Sequence, residues 1–394
     1  MFKKDVWFVK VTGDQALVKK INKSLVLHTV RKHFPLSRSS VSVMTGLNKA
    51  TVSTLVAELC EQQLVIEVGP GQSSGGRKPL MLHFNNMAGT VIGIELHVKQ
   101  LSAVLCDLKG DIILVRDFTL EHHGLAYVLD TMKELIADLI SVAPSTPYGT
   151  VGIGIGVPGM VDEQGILLFA PNLGWEMVEL QQILETYFAI PVTLDNEANA
   201  GAVGELNFGA AQDVSHLLYV SAGSGIGSGI IIDGKLYKGA RGYAGETGHM
   251  CIEADGKPCS CGSRGCWELY ASEKTYDTSL FKLPAHNTQD LIRCAKQGDI
   301  EAIRHFEQMG KYLGVGVTNL INSFNPELII IGGALSEAEP WLATSMNAVV
   351  AERTLPYHKQ QLQITFSKLG SRGTMIGAAF SSVMSFLGSI RITL

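Results

Sequence analysis

The stretch GETGHMCIEADGKPCSCGSRGCWE, residues 245–268, holds four of the chain's seven cysteines, and three of them, Cys259, Cys261 and Cys266, fall within eight positions. His249 stands ten residues before the first of them. Three thiolates and an imidazole are the ligand set of a closed tetrahedral zinc site. Gly262 and Gly265 let the backbone turn back sharply, so that three sulfurs can converge. The expected cofactor is therefore Zn2+, held by His249, Cys259, Cys261 and Cys266. Its role would be structural, because a closed site leaves no position for a reacting water. A redox pair and unliganded loop thiols are the alternatives. Cys259 and Cys261 are separated by one residue, not the two of a common redox motif. Glu246 and Glu268 bracket the cluster, so a metal would fix the loop that aims both carboxylates.

Outside this loop, 394 residues at 46% hydrophobic content allow two or three domains with substantial cores. No apolar run reaches membrane-span length, and the start, MFKKDVWFVK, lacks the long apolar segment of a signal peptide. The expectation is a soluble cytoplasmic protein with no membrane partner. The net charge of −5 divides unevenly. Residues 1–84 carry 12 Lys and Arg against 5 Asp and Glu, a net +7; the remainder carries 20 against 32, a net −12. A basic head on an acidic body points to a polyanionic partner for the head. A solvated surface of arbitrary sign would give the same count, so pattern has to decide.

Within the head, residues 15–34 read as a helix with Leu17, Ile21, Leu25 and Val30 among its buried candidates, ended by Pro35. A second short helix starts near Ser37 or Ser39 and stops at Gly46. A third runs from Asn48, a plausible N-cap, to Gln62, with Val52, Leu55, Val56 and Leu59 as its apolar stripe. That leaves Lys49, Ala50, Thr51, Ser53 and Thr54 on the outer face of its first turns. Small, hydroxylated and basic residues there suit a helix entering a DNA major groove. Two β-rich segments, Leu64–Val68 and Leu80–Phe84, enclose GPGQSSGGRKP. The pattern is that of a winged helix-turn-helix whose wing tip offers Arg77 and Lys78 to phosphates or a minor groove. A three-helix unit with a hairpin can also serve protein contacts.

From Thr90 an α/β pattern begins. Strands are expected at Thr90–Leu96, Leu101–Asp107, Ile112–Phe118, Val151–Val157 and 191–195, with helices near 126–141 and from 196. A second set follows at Leu217–Ala222, Ile226–Ile232 and Leu328–Ile331, with helices across 298–324 and near 374–389. Two successive blocks of three strands plus helices imply two similar lobes with a cleft between them. Asn172 is one candidate for that cleft, having both donor and acceptor. Trp175 nearby is read as packing. Asn196-Glu197 at a strand-to-helix junction is a second candidate, although Asn also caps helices and Glu suits a first turn. The loop Gly223–Gly229 is a third, and is equally a β-turn.

Taken together, these residues resemble the ROK family of sugar kinases and sugar-responsive repressors. Residues 245–268 are similar to the family's zinc signature. VGIGIGVPGMVD, DNEANAGAVGE and SAGSGIGSGI match in order and context, and the resemblance spans roughly residues 90–390. The wing GQSSGGRKP is similar to that of the family's repressors. The resemblance implies an actin-like, ribonuclease-H-type body at 85–394 behind a DNA-binding domain at 1–84. It also implies a sugar site made by Asn172, Asn196, Glu197, Glu246, His249 and Glu268, with His249 serving both metal and sugar.

Two departures separate kinase from repressor. Family kinases open with Asp-x-Gly-Gly-Thr as a phosphate loop; here Glu95-Leu96-His97-Val98-Lys99 stands in that place. No glycine remains to bring backbone amides to phosphate, and Glu95 would repel it. The kinases' general-base aspartate is here Glu197, whose extra methylene moves its oxygens by about an ångström, enough to cost ~10²-fold in a positioned reaction. The expectation is a non-enzyme: a repressor that leaves operator DNA on binding a sugar, D-xylose by resemblance, and acts as a homodimer or higher homo-oligomer. A family kinase with an added DNA-binding head is the second reading.

Overall fold

The computed structural model describes residues 15–70, 80–276, 287–360 and 362–389. Helix α1 (Gln15–His33) stops two residues before Pro35. Strand β1 (Leu36–Ser37) leads into α2 (Arg38–Thr45), capped by the Ser37 side chain accepting from Ser40 N and closed by Gly46 at φ 71°. Helix α3 (Lys49–Glu61) begins at Asn48, whose Oδ1 accepts from Thr51 N at 2.8 Å. Strands β2 (Val65–Pro70) and β3 (Leu80–Phe84) pair antiparallel, with β1 on the other side of β3. These are the helices of a helix-turn-helix and the arms of a wing. The wing residues Arg77 and Lys78 lie outside the described residues.

Val52, Leu55, Val56 and Leu59 are buried, as their spacing requires. The expectation for α1 is corrected. Leu17, Ile21 and Leu25 are 37%, 58% and 40% exposed, and only Val30 of the four is buried, together with Val26 and Leu27. Periodicity marks a face but does not say what covers it. Only the second half of α1 adds buried apolar side chains; the first half carries Lys19 and Lys23 to Glu58 of α3.

In the body, β4 (Thr90–Leu96), β5 (Gln100–Asp107) and β6 (Ile112–Thr119) form an antiparallel meander. After α4 (Leu125–Val142), β7 (Thr150–Val157) runs parallel to β4. A small sheet follows, of β8 (Met160–Val161), β9 (Leu167–Ala170) and β10 (Trp175–Val178). Then come α5 (Leu180–Phe188), β11 (Val192–Asn196) and α6 (Glu197–Phe208). The second lobe repeats the plan. A meander of β12 (Leu217–Ala222), β13 (Ile226–Ile232) and β14 (Lys235–Leu236) precedes short α7 (Glu268–Ala271), α8 (Thr288–Lys296) and α9 (Ile300–Phe324). Then β15 (Leu328–Gly332), α10 (Glu339–Arg353), β16 (Gln363–Phe366) and α11 (Gly373–Ser389) complete it.

The two large sheets have the orders β11-β7-β4-β5-β6 and β14-β13-β12-β15-β16. Counted within each lobe, both read third, second, first, fourth, fifth. The duplication is therefore topological, as strand counting implies. Each lobe's last helix crosses to the other lobe: α6 packs on β12 and β13, α11 packs on β4 and β7, and the two helices pack on each other. Separate apolar clusters fill the lobes, one around Phe306, Leu313 and Trp267, the other around Ile94, Ile155 and Leu139. The head's core is continuous with the first lobe: Val26, Val30, Leu59 and Phe84 share one cluster with Val91, Val104, Met375 and Val383.

Candidate functional site

The cleft between the lobes is lined by residues from both. Asn172 comes from the turn between β9 and β10, and Asn196-Glu197 from the junction of β11 and α6. Glu246 and His249 come from the loop after β14, and Glu268 from the start of α7. All six candidate sugar residues thus share one pocket. Gly225, in the loop between β12 and β13, lies against it, where an added Cβ would stand 3.0 Å from Glu268 Oε2. A side chain there would fill the space a ligand needs.

The six residues are not equally available. Asn196 caps α6: its Oδ1 accepts from Ala198 N at 2.8 Å, and its Nδ2 donates to Gly159 O at 2.9 Å. Both the capping role and the cleft position hold for this residue, leaving it one amide hydrogen to offer. Glu268 is 4% exposed, and its Oε1 accepts from Lys274 Nζ at 2.6 Å. Lys274 is a cleft residue that sequence reasoning missed, because nothing local marks it as the partner of Glu268. Trp175 is buried, and its indole donates to His123 O at 2.8 Å, in keeping with a packing role.

Burial and neighbouring charges alter the ionisation of two cleft carboxylates, Glu197 and Glu246. Burial pushes the Glu197 carboxyl up to about 7; His97 opposes this, while Glu95 and Glu246 add to it. Burial also raises Glu246, against His249 and with Glu268. His97 Nε2 sits 3.2 Å from Glu95 Oε1. Burial lowers His97, but Glu95, Glu197 and Glu273 outweigh it and bring it to about 9. The acidic neighbours thus favour the charged form of the imidazole at the end of β4. A glycine loop open to phosphate has no counterpart there.

Beside the cleft, one ligand atom each of His249, Cys259, Cys261 and Cys266 all lie within 4.8 Å of one another. Cys261 Sγ to Cys266 Sγ is 3.7 Å, as is Cys259 Sγ to His249 Nδ1. An edge of ~3.7 Å is that of a tetrahedron with metal–sulfur bonds of about 2.3 Å. Gly262 and Gly265 have φ of 90° and 69°, the left-handed turns the loop requires. Burial, followed by the neighbouring thiols, pushes Cys266 up to about 12. Three sulfurs this close cannot all ionise without a cation among them, so the donor set fits a metal ion. Glu268 Oε1 lies 3.4 Å from Cys259 Sγ, joining metal loop to cleft.

On the head, Lys49, Ala50 and Thr54 are exposed, and Thr51 and Ser53 are half-buried. Val52, Leu55 and Val56 hold the opposite face of α3 in the core, so that among the described residues Lys49, Ala50 and Thr54 stay open to solvent.

Comparison with known proteins agrees with this architecture. The ROK family's sequence description matches residues 91–382. The xylose repressor of Bacillus spizizenii is 42% identical over 96% of this chain and 99% of that repressor. A crystal structure of a ROK family transcriptional regulator, a homologue of the Escherichia coli Mlc protein, superposes with a TM-score of 0.79 at 28% identity, covering 95% of this chain and 99% of that one. A ROK family glucokinase from Streptomyces griseus, solved with glucose and AMPPNP, gives 0.67 at 27% identity, covering 74% of this chain and 98% of the kinase. The regulator thus matches head and body, whereas the kinase matches about the extent of the body. With a two-lobed duplicated body, a helix-turn-helix head and this run of matched sequence, the chain belongs to the ROK family.

Proposed function

We propose that this chain is a xylose-responsive transcriptional repressor that binds operator DNA through residues 1–84 and D-xylose in the cleft of residues 85–394. The observation that carries the reading is the cleft. Asn172, Glu197, Glu246 and Glu268 converge there with His249 and Asn196, while Glu95 and His97 stand where a kinase needs an open phosphate loop. Carboxylates and amides in a partly dry cleft suit vicinal hydroxyls, because each carboxylate can accept two hydrogen bonds. A pentose in its pyranose form lacks the exocyclic hydroxymethyl group that a hexose kinase phosphorylates, so neither the chemistry nor the base position is needed. The likeness to a xylose repressor supports this choice of sugar.

His249, Cys259, Cys261 and Cys266 would hold zinc, which supplies a structural cross-link when bound and fixes the loop carrying Glu246. Lys49, Ala50, Thr51, Ser53 and Thr54 would face the major groove, and Arg77 and Lys78 the phosphates or the minor groove. A homodimer would place two heads on a palindromic operator. Sugar occupancy would shift the balance between a form that binds operator and one that does not.

Calorimetric titration of the full chain with D-xylose, D-glucose and N-acetylglucosamine tests the ligand. Xylose should bind, and Glu197→Ala should abolish most of that affinity. Binding of none of the three would overturn the reading, as would ATP-dependent phosphorylation of any at ordinary kinase rates of ~1–100 s⁻¹.

A further inference from the structure

Asn196 and Glu197 are in the cleft, and they open α6, whose last residue is Phe208. The Phe208 ring stands edge-on to Phe380 of α11, with centroids 5.2 Å apart. On the Phe380 ring lies the guanidinium of Arg31, 5.1 Å from the centroid, from the last turn of the head's α1. Further along α11, Phe386 meets Tyr148 edge-on at 5.3 Å, and the Tyr148 hydroxyl donates to Gln62 O at 2.9 Å. Gln62 caps the C-terminus of α3, the helix with the groove-facing residues. Both α1 and α3 are therefore tied to α11.

Helices α6 and α11 leave little slack between them. An added Cβ at Gly377 would stand 1.8 Å from Ala200 O, and one at Gly204 would stand 2.3 Å from Gly373 O. The Thr374 hydroxyl also donates to Glu197 O at 3.3 Å. Backbones this close move together, because a packed contact has discrete arrangements and does not deform smoothly. Each helix also belongs to one lobe by sequence and packs on the sheet of the other. A change of lobe angle on sugar binding must then displace α11, and the head with it.

Within the apolar cluster that joins head and body, two polar groups would gain on release. Burial works against the Arg31 charge, and among the described residues its guanidinium rests on an aromatic ring with no carboxylate in ion-pair range. The buried side-chain oxygen of Gln62 has no hydrogen-bond partner among the described residues. Undocking would return both groups to water, offsetting part of the packing that is lost.

We propose that α11 is the lever between sugar cleft and head, and that Arg31 and Phe380, backed by Phe208, are the positioning residues through which sugar occupancy reaches the DNA-binding helices. This inference rests on the repressor reading above. It concerns coupling, which is separable from either binding event.

The test uses the full chain, D-xylose, and a DNA duplex selected by the wild-type protein from a random pool. Three constants are measured for wild type, Phe380→Leu and Phe380→Tyr: xylose affinity, operator affinity without xylose, and operator affinity at saturating xylose. The ratio of the last two is the coupling. In Phe380→Leu, xylose affinity and sugar-free operator affinity should stay within about threefold of wild type, while the coupling ratio falls about tenfold. Phe380→Tyr, which keeps the ring, should restore it. Arg31→Gln should reproduce the loss from the head's side, which keeps the test decisive if Phe380→Leu does not fold. An unchanged ratio in both Phe380→Leu and Arg31→Gln overturns the proposal while leaving the repressor reading intact. Loss of sugar-free operator binding in both makes the joint merely structural and also overturns it. A wild-type protein that shows no xylose effect on operator binding overturns the reading and this inference together.

Discussion

Replacing Glu246 by glutamine separates a sugar-binding role from a structural one. The carboxylate lines the cleft three residues before His249, on a loop that a bound metal would immobilise. Hydrogen bonds to a charged acceptor contribute about 1.5–3 kcal/mol, against about 0.5–1.5 for a neutral one. Glu246→Gln keeps shape and loses charge, so each of two hydroxyl bonds should weaken by about 1–1.5 kcal/mol. The sum, about 2–3 kcal/mol, is a ~30- to 150-fold rise in xylose Kd. Stability should respond in the opposite sense. Burial and Glu268 raise the Glu246 pKa, so its ionisation costs folding stability as pH climbs above the ordinary carboxylate value. With the metal chelated away, removing the charge at pH 7.5 should therefore leave the melting temperature equal or higher. Calorimetry, thermal melts and elemental analysis on one sample decide the matter. A zinc-loaded Glu246→Gln protein with wild-type xylose affinity would refute the placement of Glu246 in the sugar site. A variant that sheds zinc and melts early would show that Glu246 merely holds the loop.

Purified protein should carry about one zinc per chain, and Cys261→Ser should lose it and loosen residues 245–268, measured by elemental analysis and limited proteolysis. On DNA, Arg77→Ala should weaken binding across all sequences and lower the salt slope by roughly one unit, whereas Thr51→Ala should change preference among operator variants. His97 has a folded pKa raised to about 9, so its charged form adds stability that is complete below the ordinary histidine value and lost as pH rises through 9. The melting temperature should fall between pH 8 and 10, a window above most of the Glu197 titration, and His97→Gln should flatten that fall.

What was legible in the sequence was local. The helix cap Asn48, the stop at Gly46 and the strand limits Thr90–Leu96 and Ile226–Ile232 depend on neighbours in the chain. The metal cluster was legible for the same reason: three of its four ligands fall within eight residues. Short or context-dependent elements were not. The two-residue β1 and β14 and the small β8–β10 sheet exist only through their pairing partners. Helices α8 and α10 and strand β16 were also missed, and the expected group of helices across 298–324 is mainly the single long α9. Long-range chemistry was the least visible. Arg31 on Phe380 requires the fold before the pair exists, and even the near-neighbour pair Lys274 and Glu268 depends on how the chain turns after α7. The exposed Leu17, Ile21 and Leu25 mark the converse error, a regular apolar face that the described residues leave uncovered.

The central claim is that a sugar in the cleft controls the head's hold on DNA. The most direct measurement is operator binding by the full chain, at fixed salt, titrated with D-xylose and in parallel with glucose and N-acetylglucosamine. The account predicts an operator Kd in the range typical of specific complexes, about 10⁻⁸–10⁻¹¹ M. It predicts that xylose lowers this affinity by at least tenfold, within the usual span of allosteric coupling. A protein that selects no DNA sequence, or that holds its operator equally well with and without every sugar tested, would contradict it.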